Sequence, residues 1–392
     1  ITMDPAGRFN SNSSNNGNQL LRAQGSIALG QITAGTGAVR IESATGSITD
    51  ADTSTQSVNV TSGKVRFQAA GTIGVVGNPI ELSTTTLAAK TTGIGTAGDI
   101  FLTEHNGLEI DTFGALSATG FAVQRVGTNG AVTPTTVSPD AALNGVEVGN
   151  NASIVIQGNT VSNTGGMTIK QPVLAPGAGN IRLESVLGTI TVNAAVNAGT
   201  GNLSLLSSNH QTFAAAGDLS TAGVGTTIDV QAFGAGAQIQ MDAGTELKTN
   251  AGNIRVTSGT TGGTPTAGGA ITLGVLDARN GTTTQSAWGL VAVQSTGGAI
   301  LDSAADTVVN LYAKDARLSA GTSVGVQGTT SANALEVDVA TLAAAGGTGG
   351  INIVDTSDLI VGSVGAVAVN RVTTSGTVPG SPDITDSVTT LS

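Results

Sequence analysis

The chain has 392 residues, a formal net charge of −11 and no cysteine, and only 10% of its residues are charged. Without cysteine there is no disulfide framework, no thiol chemistry and no Cys-ligated metal, and 15 Lys plus Arg against 26 Asp plus Glu leaves no basic surface for nucleic acid. Disorder is excluded by a hydrophobic content of 39%, carried in short alternating runs of Ile, Val and Leu.

Taken in chain order, the commonest phrase is Gly, any residue, then apolar-polar-apolar. It appears as "GSIAL" at Gly25, "GAVRIES" at Gly37, "GSITD" at Gly46, "GKVRF" at Gly63 and "GDIFL" at Gly98. It returns as "GNIRLES" at Gly179, "GTITV" at Gly188, "GNLSLLS" at Gly201, "GNIRVTS" at Gly252, "GAITLG" at Gly269, "GLVAVQS" at Gly289, "GAILD" at Gly298 and "GINIVD" at Gly350. Each phrase has the strand period of two, so Ile181 and Leu183 face inward while Arg182 and Glu184 face outward. The leading Gly is expected to supply positive φ at a corner.

The similar phrases at Gly179 and Gly201 bracket "GTITV" at Gly188, so each interval holds two or three short strands. This spacing predicts an all-β, right-handed parallel β-helix of about 17–19 turns, each of roughly 20–26 residues, forming a rod of roughly 80–90 Å. Ile181, Leu183, Ile190, Val192, Leu203 and Leu205 are expected to form one interior stack. A β-sandwich array would need regular Asn-Gly or Asp-Gly hairpin turns, and the sequence lacks that spacing.

A longer repeat overlies the short one. "ITMDPAG" at Ile1 returns as "IQMDAG" at Ile239, "IESATGSITDAD" at Ile41 as "VQSTGGAILDSAAD" at Val293, "SVNV" at Ser57 as "VVNL" at Val308, and "FAVQRV" at Phe121 as "VAVNRV" at Val367. The chain is therefore read as one continuous β-helix over residues 1–392. It holds partial copies of a unit of roughly 245 residues at 1–140 and 239–385, with 141–238 completing the first. Residues 25–126 are expected to match 269–372 turn for turn. Loop excursions are placed near 127–147 and 373–386, where Pro134, Pro139, Pro379 and Pro382 cannot donate to a ladder.

An array entered and left in mid-unit resembles the β-helical stalks of filamentous haemagglutinin-like exoproteins and giant bacterial surface proteins. The resemblance is one of composition and period over nearly the whole chain. The secretion-domain motifs of that family, near "NPNL" and "NPNGI", are absent, and only "GNPI" at Gly77 is similar. The resemblance implies a secreted or cell-surface rod, and partners that are further copies of the same array or cell-surface polysaccharide. No apolar run reaches the ~18 residues of a membrane helix, and the first residues lack the order of a signal peptide. An internal piece of a longer exported protein is the expectation.

Motifs of chemistry are sparse. "GIGTAG" (Gly93–Gly98) matches a dinucleotide fingerprint but precedes a strand, where that motif needs a helix. His105 and His210 sit in different turns and in no nucleophile motif. Glu42, Asp50 and Asp52 form the densest acidic cluster, answered in the second copy by Gln294, Asp302 and a displaced Asp306. They are read as a solvated face, with calcium binding a lesser reading. Trp288 and Tyr312, the large amphipathic rings, are read as a local plug rather than a sugar platform. The sequence thus offers no catalytic, cofactor or metal residue. Its expected function is a structural rod or filament, not an enzyme, and the alternative is a carbohydrate-active β-helical lyase or hydrolase.

Overall fold

The computed structural model describes residues 1–10, 17–52, 57–114, 121–137, 142–162, 165–260, 266–304, 308–328, 334–379 and 390–391. They build a parallel β-solenoid of about 12 turns. The expected 17–19 turns are too many, for two physical reasons. Successive turns take up more chain than the shortest phrase spacing implies, as the stack Ile154, Ile181, Leu203, Ile228 and Ile254 shows. In addition, Ile100 stacks directly on Ile154, and Ile254 on Val291, because long stretches of chain leave the ladder between them. About 12 turns at ~4.8 Å give a rod of roughly 55–60 Å.

Three strands make each turn through most of the rod. One ladder runs through Ile100–Glu104, Ile154–Gly158, Ile181–Ser185, Leu203–Ser207, Ile228–Ala232, Ile254–Thr260 and Val291–Ser295. A second runs through Leu108–Ile110, Gly166–Ile169, Thr189–Val192, Gln211–Phe213, Ile239–Met241 and Ile271–Leu273. The third is shorter, through Val146–Glu147, Val173–Leu174, Val196–Asn197, Leu219–Val224 and Glu246–Asn250. Alternation puts every second side chain inside. Ile181, Leu183, Ile190, Val192, Leu203 and Leu205 are all fully buried in one core that runs from Met3 to Leu342, as expected. Gln211 and Glu104 interrupt the apolar interior, and both are bonded. Gln211 donates from Nε2 to Leu205 O, Ser207 Oγ and Gln231 O. Glu104 accepts the backbone N–H of Thr84 and Asn106.

Of the leading glycines quoted above, Gly350 has the expected positive φ (74°), and the others have a different role. Positive φ falls two residues earlier, at Gly177 (74°) and Gly199 (55°). Gly179, Gly201 and Gly252 are small because the backbone of one turn lies directly on the next. A Cβ would stand 1.8 Å from Ala152 O at Gly179, 1.9 Å from Gly179 O at Gly201 and 1.7 Å from Thr226 O at Gly252. A carbonyl in a ladder cannot retreat as a side chain can. Gly201→Ala is therefore expected to lower unfolding free energy by about 1–3 kcal/mol, read from the urea midpoint.

The residue after these glycines caps the corner. Asp99 Oδ1 accepts Ser153 N–H (2.7 Å), Ser153 Oγ accepts Asn180 N–H (3.1 Å), Asn180 Oδ1 accepts Asn202 N–H (2.8 Å) and Asn202 Oδ1 accepts Thr227 N–H (2.9 Å). Short polar side chains thereby satisfy N–H groups that the bend takes out of the ladder.

The strand pairing seen near the N-terminus recurs in the later residues. Ile27–Leu29 pairs with Ile48–Asp50, and Ile271–Leu273 with Ile300–Asp302. The strand Val60–Ala69 takes its neighbour from Ile80–Thr91, and Leu311–Ala320 takes its own from Leu335–Ala345. Leu87 then meets Ile110, and Leu342 meets Val361. The correspondence stops at "FAVQRV" and "VAVNRV". Phe121–Val126 forms an antiparallel hairpin with Val132–Val137, with Pro134 opposite Gln124 in the register.

Residues 367–377, by contrast, lie down on the rod, where the sequence places the start of an excursion leaving it near 373–386. Asn253 Nδ2 donates to Ala368 O (2.8 Å), Asn370 N–H to Thr227 Oγ1 (2.8 Å), Val372 N–H to Ser204 Oγ (2.9 Å) and Asn180 Nδ2 to Gly376 O (2.9 Å). The strap crosses successive turns towards the N-terminus, and its own Val367, Val369 and Val372 are fully buried. Pro139 and Pro382 lie outside the described residues.

Candidate functional site

The motifs picked out from sequence are local structure. Gly95–Gly98 of "GIGTAG" is a single 3-10 turn leading into the strand Ile100–Glu104. His210 Nδ1 accepts Gln238 N–H (3.0 Å), and burial lowers the pKa of His105. Trp288 is buried and its Nε1 donates to Thr282 O (2.9 Å), within its own loop. Tyr312 lies under the Arg279 guanidinium, 3.6 Å from the ring centre.

The acidic cluster is not a solvated face. Glu42 is 9% and Asp50 8% exposed. Glu42 pairs with Arg40 (2.6 Å) and Arg22 (3.2 Å). Asp50 turns to a corner of the rod, where it meets Asn59 and Glu81, which no acidic run marks. Asn59 Nδ2 donates to Asp50 Oδ1 (2.6 Å) and to Gly30 O (3.3 Å), and Asn59 Oδ1 accepts Glu81 N–H (2.9 Å). Asn59 thus ties three successive turns together. Asp52 N–H donates to Asp50 Oδ1 (3.0 Å).

This corner is built twice. Asn310 Nδ2 donates to Asp302 Oδ1 (2.9 Å) and Gly274 O (3.2 Å), and Asn310 Oδ1 accepts Glu336 N–H (3.1 Å). The signal was present in "SVNV" and "VVNL", whose shared Asn is the bridging residue, and in "NPIE" and "NALE", which share the Glu. Asp306 lies outside the described residues. Gln294 sits in the Val291–Ser295 strand and does not join the corner bonds of Asp302.

The corner stores carboxylate charge at a cost. Glu81 is 1% exposed, and neither of its carboxylate oxygens has a hydrogen-bond partner among the described residues. Burial, then the neighbouring Asp50 charge, push its pKa up to about 7. Burial raises Asp50 as well. Glu104 is pushed up to about 7 by burial, against the backbone N–H groups it accepts. Beside Glu81 lies an open cleft of about 420 Å³ lined by Val75, Val76, Pro79, Phe101 and Gln157.

For Glu81 and Glu104 the folded pKa lies above the unfolded value, so the folded state binds more protons between about pH 4.5 and 7. Stability is therefore fully present at the acid end of that window and lost as pH rises through it. Each group is expected to account for about 3 kcal/mol. Glu81→Gln should flatten the slope of unfolding free energy against pH and make the protein more stable than wild type at pH 8. An unchanged slope in urea titrations would remove Glu81 from this account.

Among the described residues no group of three or more His, Cys, Asp or Glu is arranged to hold a metal, and no helix is long and apolar enough to cross a membrane. The chain gives no match to any family model, any curated protein or any solved structure, so the β-solenoid itself is what places it among repeat proteins.

Proposed function

We propose that the chain is a rigid rod segment of a secreted or cell-surface protein, a stalk similar in kind to those of filamentous haemagglutinin-like exoproteins. The observation that carries this reading is the single core cluster that runs from Met3 to Leu342 through a solenoid of about 12 turns. Polar side chains are spent on bonds between turns and on the strap. Stacked parallel ladders give length and stiffness, because each turn rests on its neighbours.

End-to-end association is part of the proposal. Ile360 (65%), Val361 (79%) and Phe9 (50%) are exposed on strands at the two ends of the described ladder, where further turns of the same polypeptide or a second copy would cover them. Such edges pair with other edges, and a head-to-tail contact propagates rather than closes. Electron microscopy at micromolar concentration is expected to show rods longer than the roughly 55–60 Å of one chain. A monodisperse population of single rods would reject the filament while leaving the stalk.

The cleft beside Glu81 favours a second reading, a carbohydrate-active enzyme in which Glu81 exchanges protons near neutral pH. Release of reducing or unsaturated sugar ends from acidic polysaccharides, lost in Glu81→Gln, would establish it over the rod.

A further inference from the structure

We propose that the corner formed by Asp50, Asn59 and Glu81, and its second copy formed by Asp302, Asn310 and Glu336, each bind a hard divalent cation, calcium in preference to magnesium.

Unsatisfied oxygens carry the argument. At the first corner Asp50 Oδ2, both Glu81 carboxylate oxygens and Asn78 Oδ1 are buried without a hydrogen-bond partner among the described residues. Buried acceptors are ordinarily satisfied, and a bare carboxylate is the costliest kind to leave alone. Donors are scarce there, because Asn59 spends its amide nitrogen on Asp50 Oδ1 and Gly30 O. Among the described residues no cation acts on Asp50 or Glu81. The corner's nearest charged neighbours deepen the deficit, since Asp50 and Asp52 both act on Glu81 with the same sign. The loop Val75–Asn78, closed by reciprocal backbone bonds between Val75 and Asn78, brings Asn78 to the same edge, where its Nδ2 donates to Asp52 O.

Duplication is the second, independent observation. Asp302 Oδ2 is likewise buried without a hydrogen-bond partner. Asn310 repeats each bond that Asn59 makes, to the same kinds of partner one turn before and one turn after. The two copies differ at many positions around these corners, yet both keep Asp, Asn and Glu.

Oxygen-only donors from carboxylate and amide suit a hard cation, and thiolate or imidazole is absent from both corners. The oxygens come from successive turns of a solenoid and from a loop, which gives an irregular shell. Calcium accepts such shells with added water, whereas magnesium demands a near-ideal octahedron. A bound cation would bridge two turns at the corner and remove the repulsion between Asp50 and Glu81.

The test is thermal unfolding and isothermal calorimetry of the full chain at pH 7.5, titrated with calcium chloride and separately with magnesium chloride. Wild type is expected to bind two calcium ions and to melt several degrees higher with calcium, with a smaller response to magnesium. Asp50→Asn combined with Glu81→Gln should keep one ion and about half the shift, and adding Asp302→Asn and Glu336→Gln should abolish both. Asp50→Asn with Glu81→Gln removes buried charge, so that variant should fold without calcium at least as well as wild type. Glu104→Gln is the control, since Glu104 is buried but already accepts backbone N–H groups, and its calcium response should equal that of wild type. Absence of calcium binding by wild type would overturn the proposal. So would a calcium response that survives in the fourfold variant.

Discussion

Ile181→Asp is expected to destabilise the protein by about 4–5 kcal/mol or to prevent folding, the largest single effect at an apolar position. Ile181 is fully buried, stacked between Ile154 in the turn before and Leu203 in the turn after. A carboxylate there would stand between Ile154 and Leu203 in the apolar core, and the ladder on either side fixes the backbone so that it cannot turn the group out. Ile181→Ala should cost less, about 2–5 kcal/mol, because it leaves a cavity rather than a charge. Arg182→Ala, at the next position, faces the other side and loses contacts of a different kind. Urea unfolding distinguishes them. A change below about 0.5 kcal/mol for Ile181→Asp, the range of an ordinary surface substitution, would show that the strand register is wrong.

The inward face of the rod was legible in the sequence because strand periodicity is local. Ile181 and Leu183 alternate with Arg182 and Glu184 within a single strand, and a slip by one position would expose the whole set. The number of turns was not legible, since nothing local says whether a stretch such as 121–137 adds a turn or a hairpin beside one. The outward face misled for a related reason. Arg182, Ser204, Asp229 and Arg255 stack in register on the outside of one ladder, and alternation alone says only that they face outward. They are 9%, 0%, 0% and 5% exposed. Their cover comes from residues 367–377, far along the chain, and no period announces it. The acidic corner was half legible. Asp50 stands out as one of a run of acids, while Asn59 comes later in the same turn with no acid to mark it, and Glu81 belongs to the next turn and meets the corner only when the turns stack.

The strap makes a second large effect predictable. Asp229 is fully buried on the outside of its ladder and holds two arginines of different origin. Arg255 in the next turn reaches Asp229 Oδ1 through Nε (2.9 Å) and Nη2 (2.7 Å), and Arg371 of the strap reaches Asp229 Oδ2 through Nε (2.6 Å). Arg371 also donates to Gln231 Oε1. Burial alone would push the Asp229 carboxyl up, but the Arg255 and Arg371 charges and their hydrogen bonds outweigh it and hold the carboxyl below the ordinary range. Asp229→Ala therefore leaves two guanidinium groups facing each other in a covered site. The expected cost is about 3–5 kcal/mol, the usual penalty for removing one partner of a buried ionic group. Part of that loss should appear as detachment of the strap rather than unfolding of the rod, because Arg371 loses its anchor while the ladder bonds beneath are untouched. Limited proteolysis should then cut within 367–377 in Asp229→Ala under conditions that leave wild type intact. Arg371→Met should reproduce the cleavage at a lower cost in stability, since Arg255 still neutralises Asp229. The pH dependence supplies an independent reading. Asp229 has a depressed folded pKa, so its contribution is fully present above the unfolded carboxylate value of about 3.9 and is lost as pH falls through the folded one. That acid limb lies below the window in which Glu81 and Glu104 act, and it runs in the opposite direction. Asp229→Ala should remove it while keeping the decline above about pH 4.5. A variant that keeps both the acid limb and a protected strap would show that the triad does not hold the strap down.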